Sequence, residues 1–255
     1  MATLSPASLA ERRADAAGSV AGPAAAWPAG RTRIKMCGFT READVDAAVA
    51  AGADAIGFVL YANSPRHVTA ARAAELARRL PPFVTPVLLF VNHKITEIIA
   101  ASAMVAGATA QFHGDESPSD CWAGSECGKR PYLRAARIPR GDAGLGFNLL
   151  EFASHFSQAQ AILLDAQVDG YGGGGHTFNW SLLPPNVNAH LVLSGGLDAA
   201  NVADGITQVR PRCKTLAVDV SSGIEVPGQK GIKDAGRMLA FVAAVRRADQ
   251  LLYTK

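Results

Sequence analysis

Two side chains that can transfer protons stand at or near the ends of short apolar runs. Cys37 closes the run RIKMC, and Asp165 lies near the end of the run AILLDA. A cysteine acts as a base or nucleophile only as the thiolate, whereas a carboxyl group among apolar neighbours can keep its proton and serve as a general acid. The simpler interpretations are a small buried core residue for Cys37 and a helix cap or ion-pair partner for Asp165. Asn179 is the better candidate for the next helix cap, which favours a chemical role for Asp165.

Two loops have the composition of anion-binding segments. The segment LSGGLDAANV leads into a helical pattern, and the segment VDVSSGIE ends an apolar run. Glycine lets backbone N–H groups approach an anion closely, and a helix start leaves such groups unpaired. Either loop alone could be a tight turn, but together they favour a phosphorylated ligand. The candidate phosphate-binding residues are Ser194, Gly195, Gly196, Ser222 and Gly223.

Arg66 and His113 are two further polar residues that follow apolar runs. Arg66 lies in the turn NSPRHV, where an arginine can bind a carboxylate through two parallel hydrogen bonds. A solvated loop arginine is the competing interpretation. His113 follows the run TAQF and alone could be a structural histidine. Because no second His or Cys stands at ligand spacing, the sequence predicts no metal site.

The elements that would position these residues recur in one order: an apolar run, a turn and a helical segment. Eight runs qualify as strands: RIKMC, AIGFVL, PVLLFV, TAQFHG, YLRAARI, AILLDA, LVLSGG and LAVDVSSG. Most are continuously apolar, which is typical of a parallel sheet covered by helices. We therefore predict an α/β protein, a single (β/α)8 TIM barrel over residues 31–255. An open doubly wound sheet is the alternative, but CGFTRE after the first run lacks its GxGxxG signature.

A barrel carries its functional residues at the carboxyl ends of its strands, and many barrels bind phosphate in the loops after strands seven and eight. The candidates above all stand at such predicted positions. Two segments have only weak helical patterns: SPSDCWAGSECGK, and the short stretch between Asn179 and Pro184.

Composition limits the class of protein. The chain has 255 residues, of which 49% are hydrophobic and 18% charged, and its formal charge is +3. Lys and Arg form no dense runs, so we expect no nucleic-acid surface, and no apolar stretch reaches the roughly 18 residues of a membrane span. The four cysteines lack zinc or disulfide spacing and favour a reduced, cytoplasmic setting.

Residues 1–30 are rich in Ala, Pro and Gly without apolar periodicity, and we predict a mobile extension there.

Together these segments resemble the phosphoribosylanthranilate isomerase family of the tryptophan pathway. The matching pieces appear in family order: IKMCGFT, GADAIGFVLYANSPRHV, FVTPVLLFVN, AQFHGDE, LLDA, GGGGHTFNW, LSGGLDAANV, and VDVSSGIE with PGQKGIKD. They cover Arg31 to about Ala244 and are highly specific as a set. Residues 1–30 match nothing in the family.

The resemblance implies an Amadori rearrangement of N-(5-phosphoribosyl)anthranilate to 1-(2-carboxyphenylamino)-1-deoxyribulose 5-phosphate. By analogy, Asp165 is the general acid that protonates the furanose ring oxygen, and Cys37 is the general base that removes the proton at C2 of the sugar. Arg66 would orient the anthranilate end, and His113 would line the same mouth. No cofactor or metal is implied, because only protons move. The loops that would bind the phosphate contain Gly173, Gly174 and Gly175, Gly195 and Gly196, and Ser222 and Gly223.

The chain departs from the family pattern around the glycine tract. Gly174 replaces the usual Thr, His176 replaces Lys, and Asn179 stands where the family has Asp. These changes bear on substrate affinity and lid behaviour more than on proton transfer, since Cys37 and Asp165 are retained.

Two alternatives stay open. Another phosphate-binding barrel enzyme, such as a lyase or ring-closing synthase, would usually use a lysine or a second carboxylate at a strand end. Lys35 lies two positions before Cys37 and so faces the same side of its strand, but its role is not indicated. A non-catalytic phosphosugar-binding barrel is the second alternative. The sequence is compatible with a monomer or a homodimer.

Overall fold

Eight parallel strands close into a barrel in a computed structural model that describes residues 30–139, 141–166 and 177–253. The strands are β1 (Arg33–Cys37), β2 (Ala55–Val59), β3 (Thr85–Phe90), β4 (Thr109–Phe112), β5 (Tyr132–Ile138), β6 (Ala161–Ala166), β7 (Val187–Leu193) and β8 (Cys213–Val220). Each strand pairs with its sequence neighbours, and pairing of β1 with β8 closes the sheet. The predicted (β/α)8 barrel is confirmed. The extension predicted at residues 1–30 lies, apart from Gly30, outside the described residues.

Seven α-helices accompany the strands in the described part of the chain. They are α1 (Glu42–Ala51), α2 (Ala70–Ala77), α3 (Ile95–Met104), α4 (Pro118–Gly124), α5 (Leu149–His155), α6 (Val202–Val209) and α7 (Ala235–Tyr253). Local signals set several of their ends. The Thr69 side chain accepts from the Arg72 N–H at 3.1 Å and begins α2, and Gly52 ends α1 in the left-handed region at φ 97°. None of these helices combines the length and apolar character needed to cross a bilayer.

The two segments with weak helical patterns behave differently. SPSDCWAGSECGK contains α4, because Ser117 and Asp120 form a reciprocal capping box and Pro118 suits the first helical turn. The apolar periodicity of this segment therefore gave too weak an indication of the helix. After Asn179, by contrast, the chain forms only a short 3-10 turn, Trp180–Leu182. The Asn179 side chain accepts from the Ser181 N–H at 3.1 Å, as a cap at this position should.

Strand alternation separates two apolar layers. Ile34 and Met36 of β1 belong to the main core, which fills the space between the strands and the helices. Cys37 instead packs inside the barrel against Val59 and other apolar side chains. A second interior cluster contains Leu163 and Val192. Because successive strand residues face opposite sides, residues 35 and 37 both face the interior.

At the amino-terminal end of the barrel, a buried carboxylate, Asp249, and a half-buried one, Asp54, tie the chain together. Asp249 on α7 accepts from the Thr32 N–H at 2.9 Å and from Arg210 Nη2 at 2.6 Å. It also accepts from the hydroxyl of Thr32. Asp54 accepts from the Ile34 N–H at 2.9 Å. These bonds hold the start of β1 against its neighbours.

Candidate active site

Cys37 lies at the carboxyl end of β1 with only 5% of its surface exposed. It packs against Val59, Leu89 and Val91 inside the barrel. Gly57 on the neighbouring strand leaves room for the sulfur, because a Cβ atom at that position would lie 2.6 Å from Sγ. The thiol is therefore a tightly enclosed group at the barrel mouth.

Charged groups surround this thiol. Lys35 Nζ lies 2.8 Å from Asp219 Oδ1 on β8, and the Lys35 side chain is on the same interior side of β1 as Cys37. Burial raises the pKa of the Cys37 thiol above its ordinary value; Lys35 and Lys233 oppose this rise, whereas the Asp219 carboxylate adds to it. Burial works against the charge of Lys35, but Asp219 and Cys37 outweigh it and raise the pKa of Lys35.

Asp165 occupies the carboxyl end of β6 and is 6% exposed. Its Oδ2 lies 2.9 Å from His113 Nε2, and the other ring nitrogen of His113 lies 2.9 Å from Gln111 Nε2. The loop after β7 packs on the same carboxyl group. Gly195 has φ +81°, and a Cβ there would lie 2.8 Å from Asp165 Oδ1. Asp165 and His113, both predicted site residues, are thus in direct contact.

A series of contacts joins the thiol to the carboxyl group around the mouth. Asp219, which pairs with Lys35, accepts from Ser194 Oγ at 3.4 Å. The next residue, Gly195, contacts Asp165. Cys37 and Asp165 therefore lie at the same end of one barrel and face its interior, connected through β8 and the loop after β7.

The two predicted anion-binding loops contact each other. A Cβ atom at Gly223 would collide with the carbonyl group of Leu197, so the 3-10 turn after β8 packs directly on the loop after β7. Among the bonds between described residues, the backbone N–H groups of Gly195, Gly196, Ser222 and Gly223 donate to no acceptor. Gly173, Gly174 and Gly175 lie outside the described residues.

Arg66 belongs to a buried ionic cluster. Its Nε and Nη2 donate to the two oxygens of Glu225 at 2.6 and 2.8 Å, and Lys233 Nζ donates to Glu225 Oε1 at 3.1 Å. Arg66 is 6% exposed, so it is not a solvated loop arginine. Burial opposes the charge of Glu225, but the bonds and charges of Arg66 and Lys233 outweigh it and lower the pKa of Glu225. Two cations face one carboxylate, leaving a net positive charge.

Several of these contact residues were not identified from the sequence. Gln111 lies two positions before His113, and Asp219 is a charged residue within an apolar strand, so strand alternation could have indicated both. Glu225 and Lys233 carry no comparable signal, because both lie in a loop. In the part of the chain that the structure describes, no three His, Cys, Asp or Glu side chains gather in a metal-binding arrangement.

Comparison with known proteins places this site in a family. The family model for N-(5'-phosphoribosyl)anthranilate (PRA) isomerase matches residues 34–244. A curated relative from Methylibium petroleiphilum, named N-(5'-phosphoribosyl)anthranilate isomerase, is 61% identical over 219 residues, which covers 86% of this chain and 96% of the relative. The chain belongs to the PRA isomerase family. The resemblance predicted from its motifs is therefore confirmed.

Solved PRA isomerase structures agree with this placement. The enzyme from Thermotoga maritima is 35% identical with a TM-score of 0.73, covering 85% of this chain and 99% of that one. A second PRA isomerase structure, in complex with reduced 1-(o-carboxyphenylamino)-1-deoxyribulose 5-phosphate, is 32% identical with a TM-score of 0.70 and the same coverage.

One departure from the PRA isomerase pattern has a clear structural role. Asn179, which stands where the family usually has Asp, uses its side-chain oxygen to accept from the Ser181 N–H and from Ser181 Oγ at 2.7 Å. It therefore serves the local turn, as an Asp would. The other two departures, Gly174 and His176, lie outside the described residues.

Proposed function

We propose that this protein catalyses the Amadori rearrangement of N-(5-phosphoribosyl)anthranilate to 1-(2-carboxyphenylamino)-1-deoxyribulose 5-phosphate in tryptophan biosynthesis. One observation carries the proposal: in a PRA isomerase family chain, an enclosed thiol and an enclosed carboxyl group face the interior at the same end of one barrel. The reaction needs one acid and one base around a single pentose ring, and these two groups supply them.

Asp165 acts first, as the general acid. It protonates the furanose ring oxygen while the anthranilate nitrogen supplies the electron pair that breaks the C1–O bond, and the ring opens to a Schiff base. The carboxyl group must therefore arrive protonated. With the Gln111 amide turned so that its oxygen accepts from the Nδ1–H of His113, the His113 Nε2 accepts a hydrogen bond from the protonated Asp165 carboxyl group, which keeps its proton. This orientation also supplies a donor to Gln111 Oε1, which lacks one within the described ranges.

Cys37 acts second, as the general base. Its thiolate takes the proton from C2, the C–H electrons form the C1–C2 double bond, and the iminium nitrogen regains its lone pair. The resulting enolamine tautomerises to the ketone. The Lys233 charge favours the thiolate that this step requires.

Substrate binding uses the remaining groups of the mouth. The N–H groups of Gly195, Gly196, Ser222 and Gly223 bind the phosphate, since they donate to no acceptor among the described residues and belong to contacting loops. Arg66 attracts the anthranilate carboxylate. Glu225 occupies two of its nitrogens, but the cluster with Lys233 keeps a net positive charge that a substrate carboxylate can neutralise. Gly173, Gly174 and Gly175 are assigned to the same phosphate site by family analogy.

The setting of the reaction is the cytoplasm. All four cysteines, Cys37, Cys121, Cys127 and Cys213, carry free thiols, as suits a reducing compartment. A base that works as a thiolate also requires such a compartment, because oxidation of Cys37 would remove the reactive form.

Turnover of the substrate itself tests the proposal. Purified protein is mixed with freshly prepared N-(5-phosphoribosyl)anthranilate, and the change in anthranilate fluorescence is followed against a Cys37→Ala/Asp165→Asn double variant. We expect turnover by the parent chain and growth of a tryptophan auxotroph that lacks this step. Phosphosugar binding without turnover would support the non-catalytic barrel. If the protein neither binds the substrate nor complements the auxotroph, the result would support a different barrel enzyme.

A further inference from the structure

Lys35 is a buried charge to which the mechanism above gives no chemical step. A lysine with 4% of its surface exposed has lost nearly all of its hydration, which is costly unless other charges compensate. It also sits on the interior side of β1, one alternation step below the thiol. A lysine needed only for packing could be replaced by an apolar residue of similar length, so its charge calls for an explanation.

The charge has two partners. Asp219 Oδ1 lies 2.8 Å from Lys35 Nζ, and both side chains are almost fully buried. The Cys37 thiol, two positions along on the same interior side of β1, is the second group on which the Lys35 charge acts. Lys35 thus contacts the Asp219 side chain on β8 and shares a side of β1 with a sulfur that gains charge when it ionises.

The other charged groups facing the thiol are few in the described part of the chain. From β8, the Asp219 carboxylate disfavours a negative sulfur; from the loop before α7, the Lys233 ammonium favours it. Lys233 is shared with Glu225 and with the Ser221 carbonyl oxygen, 3.0 Å away. Lys35 is therefore the cation most directly available to the sulfur.

We propose that Lys35 is a positioning residue for proton abstraction: held by Asp219, its ammonium group stabilises the thiolate of Cys37 that takes the proton from the substrate. The effect of Lys35 on the rate rests on the proposed function, whereas its effect on the ionisation of the Cys37 thiol does not. In the step itself, the sulfur gains the C2 proton and becomes a thiol, the electron pair passes into the substrate, and Lys35 stays protonated throughout. Asp219 keeps Lys35 charged despite its burial.

Titration of the Cys37 thiol tests this without any need for turnover. The ultraviolet absorbance of the thiolate is followed against pH, and the curve of the same protein carrying Cys37→Ser is subtracted. Lys35→Gln removes the charge but can still donate to Asp219, so the carboxylate is not left unpaired. Lys35→Met and Lys35→Arg complete the series. Lys214→Met, which replaces an exposed lysine at the other end of β8, is the matched control.

We expect the Lys35→Gln and Lys35→Met proteins to ionise Cys37 at a midpoint about one pH unit or more above the parent. The rising limb of kcat/KM against pH should move by the same amount, so that kcat/KM at neutral pH falls about 10-fold. Lys35→Arg should restore most of both quantities, and Lys214→Met should change neither.

An unchanged thiol midpoint in Lys35→Gln would overturn the proposal and leave Lys35 as a structural residue. If Lys35→Met does not fold, the Lys35→Gln and Lys35→Arg pair still decides the question, because they differ in charge while both can hydrogen-bond. A shifted thiol midpoint with an unshifted rate profile would uphold the effect of Lys35 on the sulfur and overturn Cys37 as the base. The failure of the two proposals is thus distinguishable.

Discussion

The two ends of the barrel both bury aspartates, but they use them differently. At the amino-terminal end, Asp249 accepts hydrogen bonds from the Thr32 backbone, the Thr32 hydroxyl and Arg210. At the carboxyl end, Asp165 has one hydrogen bond among the described residues, to His113. Both oxygens of Asp249 accept from donors, whereas no hydrogen bond between described residues reaches Asp165 Oδ1.

This difference separates stability from chemistry. A carboxylate surrounded by donors and a guanidinium group has its oxygens occupied and holds the chain segments together. A carboxyl group whose partner is an imidazole can hold or release a proton, because the ring nitrogen can accept or donate. We therefore expect substitutions at the mouth to change rate and substitutions at the opposite end to change stability.

Asp165→Asn should give the largest loss of rate, and it tests the claim that residues at the mouth serve chemistry. The amide keeps the size of the side chain but cannot deliver the proton, so kcat should fall by about 10² to 10⁴-fold. Steady-state kinetics and a thermal unfolding midpoint, measured on the same preparation, check this. A rate within a few-fold of the parent would remove Asp165 from the role of general acid.

Cys37→Ala should lower kcat by about 10²-fold or more, because the base that removes the C2 proton is lost. Cys121→Ala is the matched control, since Cys121 is also fully enclosed but lies on α4, where burial raises its pKa to about 12. The control should leave the rate nearly unchanged. A large rate loss in the control, with normal turnover in Cys37→Ala, would show that Cys37 is not the general base.

Asp249→Asn should lower stability and leave the rate nearly unchanged, the opposite of substitutions at the mouth. The loss of a charged acceptor for Thr32 and Arg210 should lower the free energy of unfolding by about 1.5 to 3 kcal/mol, while kcat stays within a few-fold of the parent. Denaturant unfolding together with steady-state kinetics provides both numbers. A strong rate loss without destabilisation would contradict the division between the two ends.

Glu225→Gln should make the stability of the protein less sensitive to acid. Because the pKa of Glu225 is lowered in the folded protein, its stabilising contribution is present above the unfolded pKa of about 4.3 and is lost as pH falls through the folded value. The variant is less stable at neutral pH, since Arg66 and Lys233 lose their partner, but it should lose less further stability on acidification. Thermal midpoints between about pH 7 and pH 3 measure this slope; equal slopes would contradict it.

Much of the fold was predictable because its signals are local. The runs RIKMC, YLRAARI and AILLDA have the bounds of β1, β5 and β6. The helix α4 was underestimated because its apolar pattern is weak, although Ser117, Pro118 and Asp120 together are a normal helix start. Capping signals there carry more information than periodicity.

The candidate site was predictable only in part. Strand ends indicated Cys37, His113 and Asp165 because a parallel barrel gathers all its carboxyl strand ends at one mouth. The pairing of Arg66 with Glu225, 159 positions away, has no sequence signal. A loop arginine and a loop glutamate are compatible with many partners, and only the folded chain selects one.

The amino-acid sequence by itself determined the strands, which end of the barrel bears the reactive side chains, and that residues 35 and 37 share a side of β1. Those properties follow from backbone geometry over a few residues. Only the tertiary structure decided what the Cys37 sulfur faces, because closure of the barrel brings Asp219 beside Lys35 across 184 positions of sequence. Electrostatic interactions depend on separation in space and on burial, and neither quantity is a local property of the chain.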